Sequence, residues 1–152
     1  MSIAVNLKTI ERDIALEAAR IGRPAGDIQL VAVSKMQPEA RVQEALAAGH
    51  RLFGENRVQE AQRRWGALKG QYPEVRLHLI GPLQTNKVAE AVALFDVIET
   101  VDREKLARAL AAEMVKQNRH LPCFIQVNTG AEAQKAGVAV EALPALLAVC
   151  KD

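Results

Sequence analysis

Cysteine, aromatic residues and excess charge are all scarce in this chain. It has two Cys, one Trp, one Tyr and three Phe, and its 20 Lys+Arg against 18 Asp+Glu leave a formal net charge of +2. Cys123 and Cys150 show neither CxxC spacing nor a neighbouring histidine ligand pattern, so a reduced, cytoplasmic interior is expected. So few aromatic rings make stacking platforms for single-stranded bases hard to assemble, and no basic block concentrates the positive charge. Nucleic acid is therefore not an expected partner. Long apolar runs are missing as well. Lys8, Glu11, Arg12 and Asp13 interrupt the N-terminal segment, and no stretch approaches membrane-spanning length. The motifs GxGxxG, GxxxxGK[ST] and GxSxG are absent, as is a paired-carboxylate motif, which leaves nucleotide-binding, hydrolase and glycosidase readings without an anchor.

What remains is the composition of one soluble globular domain, 49% hydrophobic and 25% charged over 152 residues. Ile3, Leu7, Ile10, Ile14, Ala18 and Ile21 recur at spacings of three and four behind Ser2, the pattern of an amphipathic helix with an N-cap. After "GRPAGD" strand-like and helix-like segments alternate to the end. Strands are expected at about 28–34, 51–54, 76–81, 95–100 and 123–128. Helices are expected over "PEARVQEALAAG", "NRVQEAQRRWGALKG", "NKVAEAVALF", "REKLARALAAEMVKQN" and "AVEALPALLAVCKD". Such alternation implies right-handed crossovers and a parallel sheet. Two architectures fit: an open doubly wound sheet, which the length favours, and the first five-eighths of an eight-stranded α/β barrel. The last strand, "CFIQVN", places Phe124, Gln126 and Asn128 on one face, and polar residues there suit a lumen better than a sheet buried on both sides.

Four segments carry candidate chemistry. In "LVAVSK", Lys35 shares a strand face with Val31 and Val33. In a barrel its amine would stand at the C-terminal rim beside apolar walls, where desolvation favours the neutral amine that attacks an aldehyde. A strand-end lysine snorkelling to solvent is the competing reading. In "FGENRVQEA", Asn56 suits a helix N-cap and Glu55 a solvated position. In "HLIGPLQTNK", His78 sits in an otherwise apolar strand as a hydrogen-bonded core residue, without ligand-spaced companions for zinc, while Thr85 and Asn86 offer polar groups at a helix start. In "QVNTGAEAQKAGV", Lys135 occupies a loop of small residues that suits either a flexible active-site loop or an ordinary surface turn.

In this order and spacing the four segments closely resemble the pyridoxal phosphate homeostasis protein family, also called the proline synthase co-transcribed family, from the N-terminal helix to the last residue. The resemblance implies a TIM-type (β/α) barrel like the N-terminal domain of alanine racemase, here the first helix and about five of eight β/α units in one domain, 1–152. It implies pyridoxal 5′-phosphate held as an aldimine on Lys35, with Asn56 and His78 lining the pocket and Lys135 near its mouth. It implies cytoplasmic cofactor buffering and delivery to apo-enzymes rather than turnover. Family members continue for several more strands, and their Gly-Met-Ser and Arg-x-Gly segments, which bind the cofactor phosphate, are not in this sequence. A truncated barrel with weakened cofactor affinity and open, association-prone sheet edges is the expectation. Two other classes stay open: a racemase-like or Schiff-base lysine enzyme, for which His78 is the one evident second acid or base, and an inactive fragment or interaction module.

Overall fold

The computed structural model describes residues 2–151. Helix α1 (Ile3–Arg20) begins as expected, with the Ser2 side chain accepting from the Val5 N–H at 3.2 Å. Its apolar stripe is only partly covered. Ala18 is buried and Ile3 and Leu7 pack on the core, but Ile10 is 45% and Ile21 67% exposed. The reason is positional. Leu7 and Ile14 line an open groove of about 560 Å³ between α1 and the N-terminal ends of the strands, and Ile21 lies past the helix end.

The main sheet contains β1 (Ala32–Val33), β2 (Leu52–Glu55), β3 (Arg76–Leu79), β4 (Val97–Val101) and β5 (Cys123–Ile125), all parallel and in the spatial order β1-β2-β3-β4-β5. A doubly wound sheet needs a reversal of strand order at a switch point. Here each strand is added on the same side as the last, which is the progression of a (β/α) barrel. The architecture is a partial barrel. The expected strand 28–34 contracts to Ala32–Val33, because β1 has a single neighbour and Ser34 already opens a turn. Between the strands run α2 (Glu39–Ala47), α3 (Val58–Gln71), α4 (Val88–Leu94) and α5 (Glu104–Gln117), and α6 (Leu143–Lys151) follows β5. Past Ile125 the last expected strand breaks at Gln126 and resumes as β6 (Val127–Asn128), paired in parallel with β7 (Val138–Ala139).

One face of the sheet is closed by the helices. Phe53, Leu77, Leu79 and Ile98 project onto Ala61, Trp65, Leu68, Val92 and Leu106, all buried, with the Phe53 and Trp65 rings 4.8 Å apart. Each such side chain contributes about 1.5–3 kcal/mol by leaving water. Val101 joins this core although it stands three positions after Ile98. A register shift places two residues of β4, Glu99 and Thr100, opposite one of β5, Phe124, and such a bulge re-aims the following side chain. Among the described residues no helix is long and apolar enough to cross a membrane.

Candidate functional site

The opposite face of the sheet carries two of the residues that the sequence singles out or adjoins, Gly54 and His78. Gly54 lies at its centre. A Cβ there would come within 3.1 Å of both Val31 Cγ1 and Ile80 Cδ1, so neighbouring side chains already close over β2. His78 pairs with Gly54 across the ladder and is 6% exposed. Its Nδ1 stands 2.5 Å from Oε1 of Glu99 on β4. The contact joins the Nδ1 side of the imidazole to the carboxylate and leaves Nε2 as the ring's other polar atom. The sequence identified His78 as hydrogen-bonded but not its carboxylate partner. Glu99 comes from the next strand, and only the β3–β4 register, His78 beside Val97, brings it there.

Lys35 does not continue β1. It occupies a turn, Ser34–Gln37, closed by Gln37 N–H donating to the Ser34 carbonyl at 3.1 Å, and the amine-bearing side chain is exposed rather than walled by apolar groups. Among the described residues β1 is an edge strand, with β2 its single neighbour. The next residue, Met36, has φ 57, a left-handed conformation that costs a non-glycine residue about 1–2 kcal/mol.

Behind this turn lies a polar network that the sequence reading missed. Glu55 is 0% exposed, not solvated. Its Oε1 accepts from Ser34 Oγ at 2.7 Å, Arg64 Nη1 at 2.6 Å and Trp65 Nε1 at 3.1 Å, while Oε2 has no partner. The signal was available: Glu55 is two residues from Phe53 and so shares its helix-facing side, where a carboxylate needs a cation. Asn56 is half-buried and is not a helix cap; Arg57 takes that position, without a side-chain capping bond. The Asn56 backbone instead abuts Gly81. A Cβ at Gly81 would overlap the Asn56 carbonyl oxygen at 2.1 Å, so the turns after β2 and β3 touch main chain to main chain.

Lys135 lies apart from this group, on the loop between β6 and β7. Its Nζ pairs with Glu132 Oε1 at 2.6 Å and its side chain is mostly exposed. The loop is tied down, in contrast to the flexible alternative. Asn128 Nδ2 donates to the Glu132 carbonyl at 2.8 Å, Gln126 Nε2 to the Ala136 carbonyl at 3.4 Å, and the Gly137 N–H to Asp102 Oδ2 at 3.3 Å. Gly137 sits at φ 119, where an added Cβ would lie 2.7 Å from the Asn128 nitrogen. The β1–β3 strand ends thus bring together the Lys35 turn, the Asn56 turn and His78, while Lys135 stands on the far side of β4 and β5. Thr85 and Asn86 form a 3-10 turn ahead of α4.

The two cysteines, distant in sequence, line one groove of about 440 Å³ between α5 and α6. Burial, and secondarily the neighbouring Cys150, pushes the Cys123 thiol up to about 11. Among the described residues no three His, Cys, Asp or Glu side chains converge as metal ligands do.

Residues 5–152 match the family of the alanine racemase N-terminal domain. A pyridoxal phosphate homeostasis protein of Vibrio cholerae is 40% identical over 139 residues, 90% of this chain and 59% of that protein. Its namesake in Pseudomonas aeruginosa is 41% identical over 153 residues, 96% of this chain and 66% of that one. Among solved structures, PipY of Synechococcus elongatus with PLP bound superposes with a TM-score of 0.74 at 40% identity, covering 89% of this chain and 62% of PipY. A Bifidobacterium adolescentis protein of unknown function superposes with a TM-score of 0.87 at 27% identity, covering 97% and 63%. The chain spans roughly three-fifths of the length of the first two curated relatives, 59% and 60%.

Proposed function

The chain belongs to the alanine racemase N-terminal-domain family, in company with the pyridoxal phosphate homeostasis proteins, and on that premise we propose that it binds pyridoxal 5′-phosphate covalently and reversibly through Lys35 and takes part in intracellular vitamin B6 balance. The observation that carries the reading is the placement of Lys35: an exposed amine on a held turn at the C-terminal rim, the end of the barrel where this architecture builds its sites.

The residues present fit the group at its aldehyde end. When bound, the cofactor supplies an electrophilic carbonyl, and a primary amine with open space around it is what that carbonyl requires. Gly54 adds no side chain of its own where Val31 and Ile80 already crowd β2, and His78, paired with Glu99, presents a polar wall. Asn56 adds an amide at the same rim. Reversibility suits a carrier, since an amine that captures an aldehyde also surrenders it to another amine. Delivery to cytoplasmic apo-enzymes is the finer part of the proposal, with Lys135 as a second amine. In the folded chain its Nζ pairs with Glu132 Oε1 at 2.6 Å. Unchanged transfer to an apo-enzyme by Lys135→Ala would remove that role.

The His78–Glu99 pair favours a second reading, a lysine-dependent enzyme of the racemase type, because it supplies the positioned acid or base such chemistry requires. One experiment orders these readings. Pyridoxal phosphate is added, visible absorbance recorded, the adduct reduced with borohydride and the peptide mapped. Label at Lys35, lost in Lys35→Ala, supports cofactor binding; label spread evenly over surface lysines sinks it. Racemase, transaminase and aldolase assays on the labelled-competent protein then separate carrier from enzyme.

A further inference from the structure

The structure assigns Arg64 as the positioning residue for Lys35. Arg64 stands on α3, outside every motif that marks this chain, yet its guanidinium bridges both ends of the turn that carries the lysine. Nη1 donates to the Ser34 carbonyl at 2.7 Å and Nη2 to the Gln37 carbonyl at 2.7 Å, while Nη1 also reaches Glu55 Oε1 at 2.6 Å. The two carbonyls belong to the first and last residues of the turn.

Such a clamp is needed here. Met36 is held in the left-handed region, a state that persists only where surrounding contacts over-determine it. β1 offers little restraint, being two residues long with a single neighbouring strand. The remaining restraint comes from Ser34, whose N–H donates to the Gly54 carbonyl at 3.0 Å and whose hydroxyl donates to Glu55 at 2.7 Å. Glu55 is therefore the buried anchor, Arg64 the bridge and the Lys35 turn the thing held. A lysine at 64 carries the charge but not the planar fork that reaches three oxygens at once. The network also contains its own reporter. Trp65, the chain's one tryptophan, donates to the same Glu55 oxygen, so indole emission follows the carboxylate that anchors the turn.

The inference rests on Lys35 being the cofactor lysine, and its test is built to separate the two. In the full chain, Arg64→Met and Arg64→Lys are compared with wild type by three measurements: borohydride-trapped pyridoxal phosphate at Lys35, the rate of Lys35 reductive methylation by formaldehyde and cyanoborohydride as a function of pH, and Trp65 emission. Arg64→Met is expected to weaken apparent cofactor capture at Lys35 at least ten-fold, to alter the methylation rate and pH profile at Lys35 but not at Lys8, and to shift Trp65 emission. Arg64→Lys should fall between it and wild type. Adding Met36→Gly to Arg64→Met should restore part of the capture, because glycine adopts the left-handed turn without a clamp. A folded Arg64→Met whose Lys35 capture and methylation profile match wild type overturns the inference. If Arg64→Met does not fold, an Arg64→Lys protein with unchanged capture and profile overturns it equally. Methylation that depends on Arg64 in a wild-type protein that captures no cofactor would sink the carrier reading and leave the clamp standing.

Discussion

The two faces of the five-stranded sheet are built from the same strands and differ in almost every property. On the helix-covered face, Phe53, Leu77, Leu79 and Ile98 are fully buried, and even its carboxylate, Glu55, is enclosed and hydrogen-bonded. On the other face His78 and Glu99 meet, Lys35 stands in solvent, and Val33 and Phe124 are about half exposed. The first face holds the packed core, and the second carries the exposed and half-buried polar groups. The difference shows that a barrel strand serves two tasks through alternation alone, residue by residue, and that the helix-side residues can still reach the site when a turn folds back over the strand end.

This contrast can be broken in order of size. Trp65→Ala should cost about 3–5 kcal/mol, since it opens a cavity against Phe53 and removes one of three donors from a buried carboxylate; denaturant unfolding monitored by far-UV circular dichroism gives the value. His78→Ala on the opposite face should cost about 1–3 kcal/mol, the loss of a mostly buried hydrogen bond, and should shift the visible spectrum of any pyridoxal phosphate adduct. Phe124→Ser should stay within about 0.5 kcal/mol, because the ring is 58% exposed; a loss above 2 kcal/mol would show that this face is closed in solution.

A pH dependence is also expected. Burial, and then Cys150, raises the Cys123 thiol from its ordinary 9.0 to about 11 in the folded chain. The folded state therefore holds this proton where the unfolded state releases it. Its contribution to stability is complete below about pH 9 and declines as pH rises from there towards 11. Iodoacetamide alkylation of Cys123, mapped by mass spectrometry, should accelerate with a midpoint near 11 when folded and near 9 in denaturant.

The fold was readable in the sequence because periodicity carries it. The strand–helix alternation fitted an open sheet and a barrel alike, length favoured the open sheet and the polar residues of the last strand the barrel, and strand order settled the choice for the barrel. Lys35 was expected to continue the first strand beside apolar walls, and it stands instead exposed on a turn, because β1 ends at Val33. The site was opaque where two strands must align. His78 and Glu99 are 21 residues apart, and nothing local to either announces the other. Glu55 was misread as solvated because it adjoins a helix start, although its parity with Phe53 placed it inside; Asn56 was misread as a cap because the chain uses that turn for main-chain contact with Gly81 instead. Ile10 followed helical spacing faithfully, but spacing says which side a residue takes, not whether anything covers it.

The contact between Gly81 and the Asn56 carbonyl has a consequence for how a ligand would be received. With no side chain between them, the turns after β2 and β3 cannot slide independently, and each removes the other's freedom before any ligand arrives. A ligand docking on that rim would spend little free energy on ordering it, so its affinity would be set by the contacts made rather than by loops recruited. Such a rim behaves as a preformed socket, and ligand docking there should show no slow loop-closing phase ahead of any covalent step.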